Sequence, residues 1–211
     1  MTIRNAYLRA ARSAADLLAD PAVAAAWDKP SALAEFRVSG LAGHLGRQVN
    51  RVVELAAAGP ATEAPIGLLD HFVRSSWVGA TVDSPTSVSV RESGESDAVV
   101  GPAALADSIA ARVTDLEKTF VTLPDDLVVS LPWAEWALTF DDFLVTRLLE
   151  IAVHNDDLAV SVGVPTPEQP DEVLEPVFAV LTRLAVRQHG ATAVLRALSR
   201  AERAPATIAA I

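Results

Sequence analysis

The chain contains no cysteine. It can form no disulfide, offer no thiolate to a metal and use no cysteine nucleophile, so any thiol chemistry needs a thiol brought in from outside. A cationic surplus is missing as well: 27 acidic against 17 basic residues give a formal charge of −10 and a pI near 4.8. With no run of Lys and Arg tracking a surface, nucleic acid is excluded as an expected partner. No segment stays apolar for the roughly 18 residues that a membrane helix requires, and the N-terminus has no cationic leader followed by an apolar run. The expectation is a soluble, cytoplasmic protein with no membrane partner. Internal repeats and low-complexity tails are also absent.

What is present is helical periodicity. The 211 residues, 51% hydrophobic, are enough to bury one substantial core. Arg4 to Trp27 is rich in Ala and Leu, with Tyr7, Ala11, Ala14, Leu18 and Val23 roughly on one side, and Pro21 breaks or kinks it. Val38 to Ala58 gathers Val38, Leu41, Leu45, Val52 and Ala56, and Gly59-Pro60 stops it. Pro102 suits a first helical position, and Leu105, Ile109, Val113, Leu116 and Phe120 continue a third stripe to Leu123-Pro124. Thr139, with Asp142 three residues on, offers a helix start, and the fourth stripe is Leu144, Leu148, Ile151, Leu158 and Val162, ending at Gly163. Between these, Ile66 to Trp77 reads as helix, Ser87-Val88-Ser89-Val90 alternates like a short strand before a turn at Glu92 to Ser96, and Leu127 to Leu138 reads as a loop with one short strand. Four long helices imply an all-α antiparallel bundle over residues 1–165. A Pro-rich linker then leads to a short helical C-terminal extension over 166–211, packed on the bundle.

Beside the fourth apolar stripe runs a polar one: Arg147, Glu150, His154, Asp157 and Ser161. Glu150 and His154 are four positions apart, so on a helix their side chains lie within roughly 40° of each other and can grip one metal ion. His44, at the edge of the apolar face of the second helix, is the candidate third ligand. Two imidazoles and one carboxylate leave a position open, which is the catalytic rather than the structural pattern. Arg47 and Arg51, three and seven residues after His44, are placed to hold carboxylates of a thiol or a substrate. Asp157, one turn beyond His154, is placed to orient an imidazole or to act as a further ligand, and Arg147, one turn before Glu150, is placed to support the ligands from behind. Plainer roles stand beside these. The Glu150 and His154 stripe can be satisfied by Arg147 and water, Arg147 can make an ion pair on its own helix, and Arg47 and Arg51 can be solvated. His71 reads as structural, His189 as a helix-end group, and Trp133 and Trp136 as core or as a pocket wall.

The segment Phe36-Arg37-Val38-Ser39-Gly40-Leu41-Ala42-Gly43-His44-Leu45 is followed about a hundred residues later by Thr146-Arg147-Leu148-Leu149-Glu150-Ile151-Ala152-Val153-His154-Asn155-Asp156-Asp157-Leu158-Ala159. Together they resemble the mycothiol-dependent maleylpyruvate isomerase family, within the wider DinB-like metal-binding bundles. Phe36 and Gly40 stand where that family's first motif usually has Trp and Asp, and neither is a ligand position. The resemblance implies metal ligands at His44, Glu150 and His154, a divalent ion with zinc the first expectation, and mycothiol as co-substrate. It implies an enzyme that transfers, conjugates or isomerises a small electrophile through that thiol, its partners being the thiol and the electrophile. A homodimer is compatible with it. Two other readings of the residues remain open: metal-assisted hydrolysis, and a non-catalytic metal- or ligand-binding bundle acting as a sensor or interaction module.

Overall fold

A computed structural model describes residues 2–211 of the chain. The first predicted helix is divided as Pro21 requires. Helix α1 spans Ile3–Leu18, and its N-cap Thr2 accepts from the Asn5 backbone N–H. After it, Asp20 caps the short α2, Pro21–Ala25, with Pro21 at the first turn. The long helices follow their stripes: α3 Val38–Ala57, α6 Pro102–Thr122 and α7 Phe140–Val162. The hydroxyl of Thr139 accepts from the Asp142 backbone N–H at 3.1 Å, so the start of α7 is the predicted cap. Its end is Gly163, whose φ of 74° is a left-handed conformation that a residue with a Cβ rarely adopts.

Helices α1, α3, α6 and α7 form the bundle. Each of α1 and α3 packs against both α6 and α7, so the helices alternate around one core. Tyr7, Ala11, Ala14, Leu41, Leu45, Ile109, Leu144, Leu148, Ile151 and Leu158 are buried there. The C-terminal residues form α8, Asp171–His189, which lies on α1 and α7, and α9, Ala191–Ser199, which lies on α8. Between α3 and α6 come α4, Leu68–Arg74, and α5, Pro85–Ala98. Strands β1, Val128–Ser130, and β2, Ala137–Thr139, pair antiparallel with Val129 opposite Leu138, and the turn between them carries Trp133 and Trp136.

One expectation is corrected. Ser87-Val88-Ser89-Val90 is not a strand and Glu92 to Ser96 is not a turn, because both lie inside α5. Ser84 caps that helix by accepting from the Ser87 N–H, and Pro85 sits in its first turn. The deciding contact is tertiary. The helix seats Gly94 against Gly40 and Gly43 of α3 so closely that a Cβ on Gly43 would meet the Gly94 carbonyl oxygen at 2.0 Å. The period-two alternation spans only four residues, and this close helix crossing outweighs it.

Candidate metal centre

Helices α3 and α7 lie side by side in the bundle, and their facing turns bring the three predicted ligands together. Nε2 of His44 and Nε2 of His154 each lie 3.3 Å from Oε2 of Glu150. One ligand atom from each residue falls within 4.8 Å of the others, and the two imidazole rings meet edge to face at 4.7 Å. Donors bonded at about 2.1 Å to a tetrahedral ion stand about 3.4 Å apart, so this spacing suits a divalent ion. The donor set, two nitrogens and one oxygen, is also that of a catalytic site with an open position. The side chains are 11–15% exposed, so the cluster is shielded but not sealed.

Without an ion, the three groups share charge unequally. Burial would raise the Glu150 carboxyl, but hydrogen bonds from both imidazoles and the charge of Arg147 outweigh it and hold Glu150 well below the usual carboxylate range. Burial also opposes charge on His154, yet bonds to Asp157 and Glu150 raise it to about 9. His44 moves the other way, lowered chiefly by burial despite its contact with Glu150. The metal-free site therefore holds a carboxylate, one imidazolium at His154 and one neutral imidazole at His44.

Asp157 occupies the predicted orienting place. Its Oδ2 accepts from His154 Nδ1 at 2.9 Å, which turns Nε2 toward Glu150. His44 lacks an equivalent: among the described residues its buried Nδ1 has no partner. What stands behind His44 instead is Gln48, one turn along α3, a residue not singled out from the sequence although its spacing of four from His44 could have marked it. Its amide donates to the His44 carbonyl at 2.8 Å and lies 3.3 Å from His44 Nε2, while its Oε1 accepts from Arg147 Nη1. The hydroxyl of Tyr7 donates to the Gln48 carbonyl at 3.2 Å.

The arginines separate into different roles. Arg147 makes no ion pair on its own helix, contrary to the plainer expectation: buried between α3 and α7, it donates through Nε to Thr146 Oγ1 at 3.0 Å and through Nη1 to Gln48. Arg47 pairs with Asp97 at 2.8 Å and donates to the Ser93 carbonyl, so it ties α3 to α5. Arg51 stacks its guanidinium 4.0 Å above the Trp133 ring. His71 is buried, as a structural histidine should be. It accepts the Trp136 indole N–H at Nδ1, and burial lowers it to about 4, so it is neutral.

The family model for the mycothiol maleylpyruvate isomerase N-terminal domain matches residues 7–159. The chain belongs to that family. The match takes in every predicted ligand and each of the flanking arginines, and it stops within α7, ahead of α8 and α9. No curated protein and no solved structure matches the chain at a significant level. Within this DinB-like family the bundle supplies a group that can hold a metal, on α3 and α7. Among the described residues no helix is long and apolar enough to cross a membrane.

Proposed function

We propose that the protein is a metal-dependent enzyme that uses a low-molecular-weight thiol, mycothiol by family, to conjugate or isomerise a small electrophile. The observation that carries this reading is the convergence of His44 Nε2, Glu150 Oε2 and His154 Nε2 on one point between α3 and α7. Zinc is the expected ion, since imidazole and carboxylate donors at this spacing suit it.

A divalent ion held there supplies Lewis acidity, which brings a thiol's pKa down to the neutral range and so provides the nucleophile that a cysteine-free chain lacks. The protein's own groups prepare that place. Asp157 retains the Nδ1 proton of His154 and leaves Nε2 as a neutral donor once the imidazolium proton has gone. Glu150 stays ionised at all neutral pH values and offsets part of the ion's charge. Gln48 packs behind His44 and joins it to Arg147, while the Phe36 ring lies edge-on 6.1 Å from the His44 ring. Attack on an electrophilic carbon gives a conjugate, and attack followed by departure of the same thiol gives an isomer.

The first test is metal content per chain, by plasma mass spectrometry, of protein purified without a histidine tag, beside His154→Ala. About one equivalent of divalent metal, lost in the variant, supports the site; thiol-dependent consumption of an electrophile then supports the transferase or isomerase reading over hydrolysis. No metal after reconstitution with zinc would overturn it.

A further inference from the structure

Around His44 the hydrogen-bond donors outnumber the acceptors. Gln48 is 1% exposed and its amide is fixed by two partners: Oε1 accepts from Arg147 Nη1, and one N–H donates to the His44 carbonyl at 2.8 Å. Turned over, the amide would set its nitrogen against the guanidinium and its oxygen against that carbonyl, so the orientation holds. The second N–H has one polar neighbour among the described residues, His44 Nε2 at 3.3 Å, and the same ring atom lies 3.3 Å from Glu150 Oε2. One ring nitrogen cannot accept from the amide and donate to the carboxylate at once.

Every protonation state of His44 therefore leaves a buried N–H unpaired. With the proton on Nε2, the ring donates to Glu150 and the second N–H of Gln48 faces another N–H. With the proton on Nδ1, the amide gains its acceptor, but Nδ1 has no partner among the described residues and the Nε2 lone pair is turned on a carboxylate. With both nitrogens protonated, the amide and Nδ1 are both unpaired. An ion bonded to Nε2 uses the ring's lone pair and so leaves the second N–H of Gln48 without an acceptor again. A buried donor left in this way is costly, and none of the described residues offers it another acceptor.

Resting on the reading above, we propose that Gln48 donates this second amide N–H to the sulfur of the thiol at the metal centre, and that Arg147 is the residue that holds the amide in the donating orientation. The chemistry of the two partners matches. A thiol that binds as thiolate gives its proton to solvent and keeps lone pairs on sulfur beyond the one that bonds the ion, so it can accept where nothing in the protein does. A ligand atom with a single lone pair spends it on the ion and cannot accept, so Gln48 discriminates in favour of thiolate. Arg147 strengthens the donor as well as orienting it, because a cation on the amide oxygen polarises the N–H at the other end. The amide does this without adding a charge of its own, so the balance between the ion and Glu150 is undisturbed.

Cobalt(II) in place of zinc makes the sulfur visible. Cobalt-loaded protein is titrated with 2-mercaptoethanol, which carries no carboxylate, and separately with imidazole, following the ligand-field bands and the sulfur-to-cobalt charge-transfer band. Gln48→Leu should still take up cobalt, weaken 2-mercaptoethanol roughly tenfold or more and leave imidazole within about twofold. Its charge-transfer band should move to longer wavelength, because a sulfur without its hydrogen bond gives up electron density more readily. Equal weakening of both ligands, or of neither, overturns the donor role. Leucine also takes the acceptor from Arg147 Nη1, so melting is checked alongside, and a measurement on the unaltered chain stands beside it. In zinc-loaded protein the Gln48 side-chain amide proton should move downfield in nitrogen-edited NMR on adding 2-mercaptoethanol and not on adding imidazole; a resonance that ignores the thiol overturns the proposal. A chain that loads neither metal loses the enzyme reading and this donor together, whereas a loaded chain whose thiol affinity is indifferent to Gln48 loses only the donor.

Discussion

Metal binding should release one proton, and that proton comes from His154. In the metal-free protein this imidazole titrates at about 9, held charged by Glu150 and Asp157, whereas His44 lies below its ordinary value and Glu150 is ionised throughout. At pH 7.5 a group with that pKa is about 97% protonated. Two ordinary imidazoles at 6.5 would together carry only about 0.2 proton. A ligand must be neutral to bind, so loading zinc at pH 7.5 should release close to one proton, and affinity should rise about tenfold per pH unit from pH 7 to 8.5 before levelling above 9. The assay is calorimetric titration with zinc in buffers of different ionisation enthalpy, whose slope reads the protons released. Asp157→Asn is the control. It keeps an acceptor at Nδ1 but removes the charge, so the proton from His154 should be largely lost, while any proton drawn from solvent by the ion would persist. Release below about 0.3 proton in the wild type would refute the argument, since His154 would then be neutral or outside the coordination.

The same Asp157→Asn variant should bind zinc about 10–100-fold more weakly at pH 8.5, read by competition with a chelating dye, because the imidazole loses its orienting charge. Metal-free protein should lose stability as pH rises. The folded pKa of His154 is above its unfolded value near 6.5, so its contribution is complete below about 6.5 and gone above about 9, on the order of 3 kcal/mol by urea unfolding across that window; a flat profile would contradict it. Gly43→Ala should destabilise by about 3 kcal/mol, since its Cβ meets backbone rather than a movable side chain, and an unchanged melting temperature would mean that α5 is not seated there. Tyr7→Phe should cost about 1 kcal/mol by denaturant unfolding, the hydroxyl being buried and donating to Gln48.

The four bundle helices were legible because each buries one stripe, and a stripe is written in spacings of three and four. Their ends were legible for the same local reason, since Thr139, Gly163 and Pro21 act on the backbone within a turn of themselves. Helix α5 was not. Its apolar residues form no stripe, only Gly94 and Ala98 are buried, and its place depends on glycines of another helix more than forty residues away.

By itself, the sequence determined that Glu150 and His154 share a face, that Asp157 follows one turn on, and that His44 occupies a matching edge of α3. Those are relations within a helix, set by its pitch. Only the tertiary structure decided which atoms meet: Nε2 of both imidazoles on one carboxylate oxygen, Gln48 between His44 and Arg147, and Arg47 drawn away to Asp97. It also left Arg147 buried, without an ion pair among the described residues, and Arg51 on Trp133. The reason is that charges find partners across helix interfaces, where distance depends on how closely two backbones approach, and a periodic pattern in one helix holds no information about what stands opposite it.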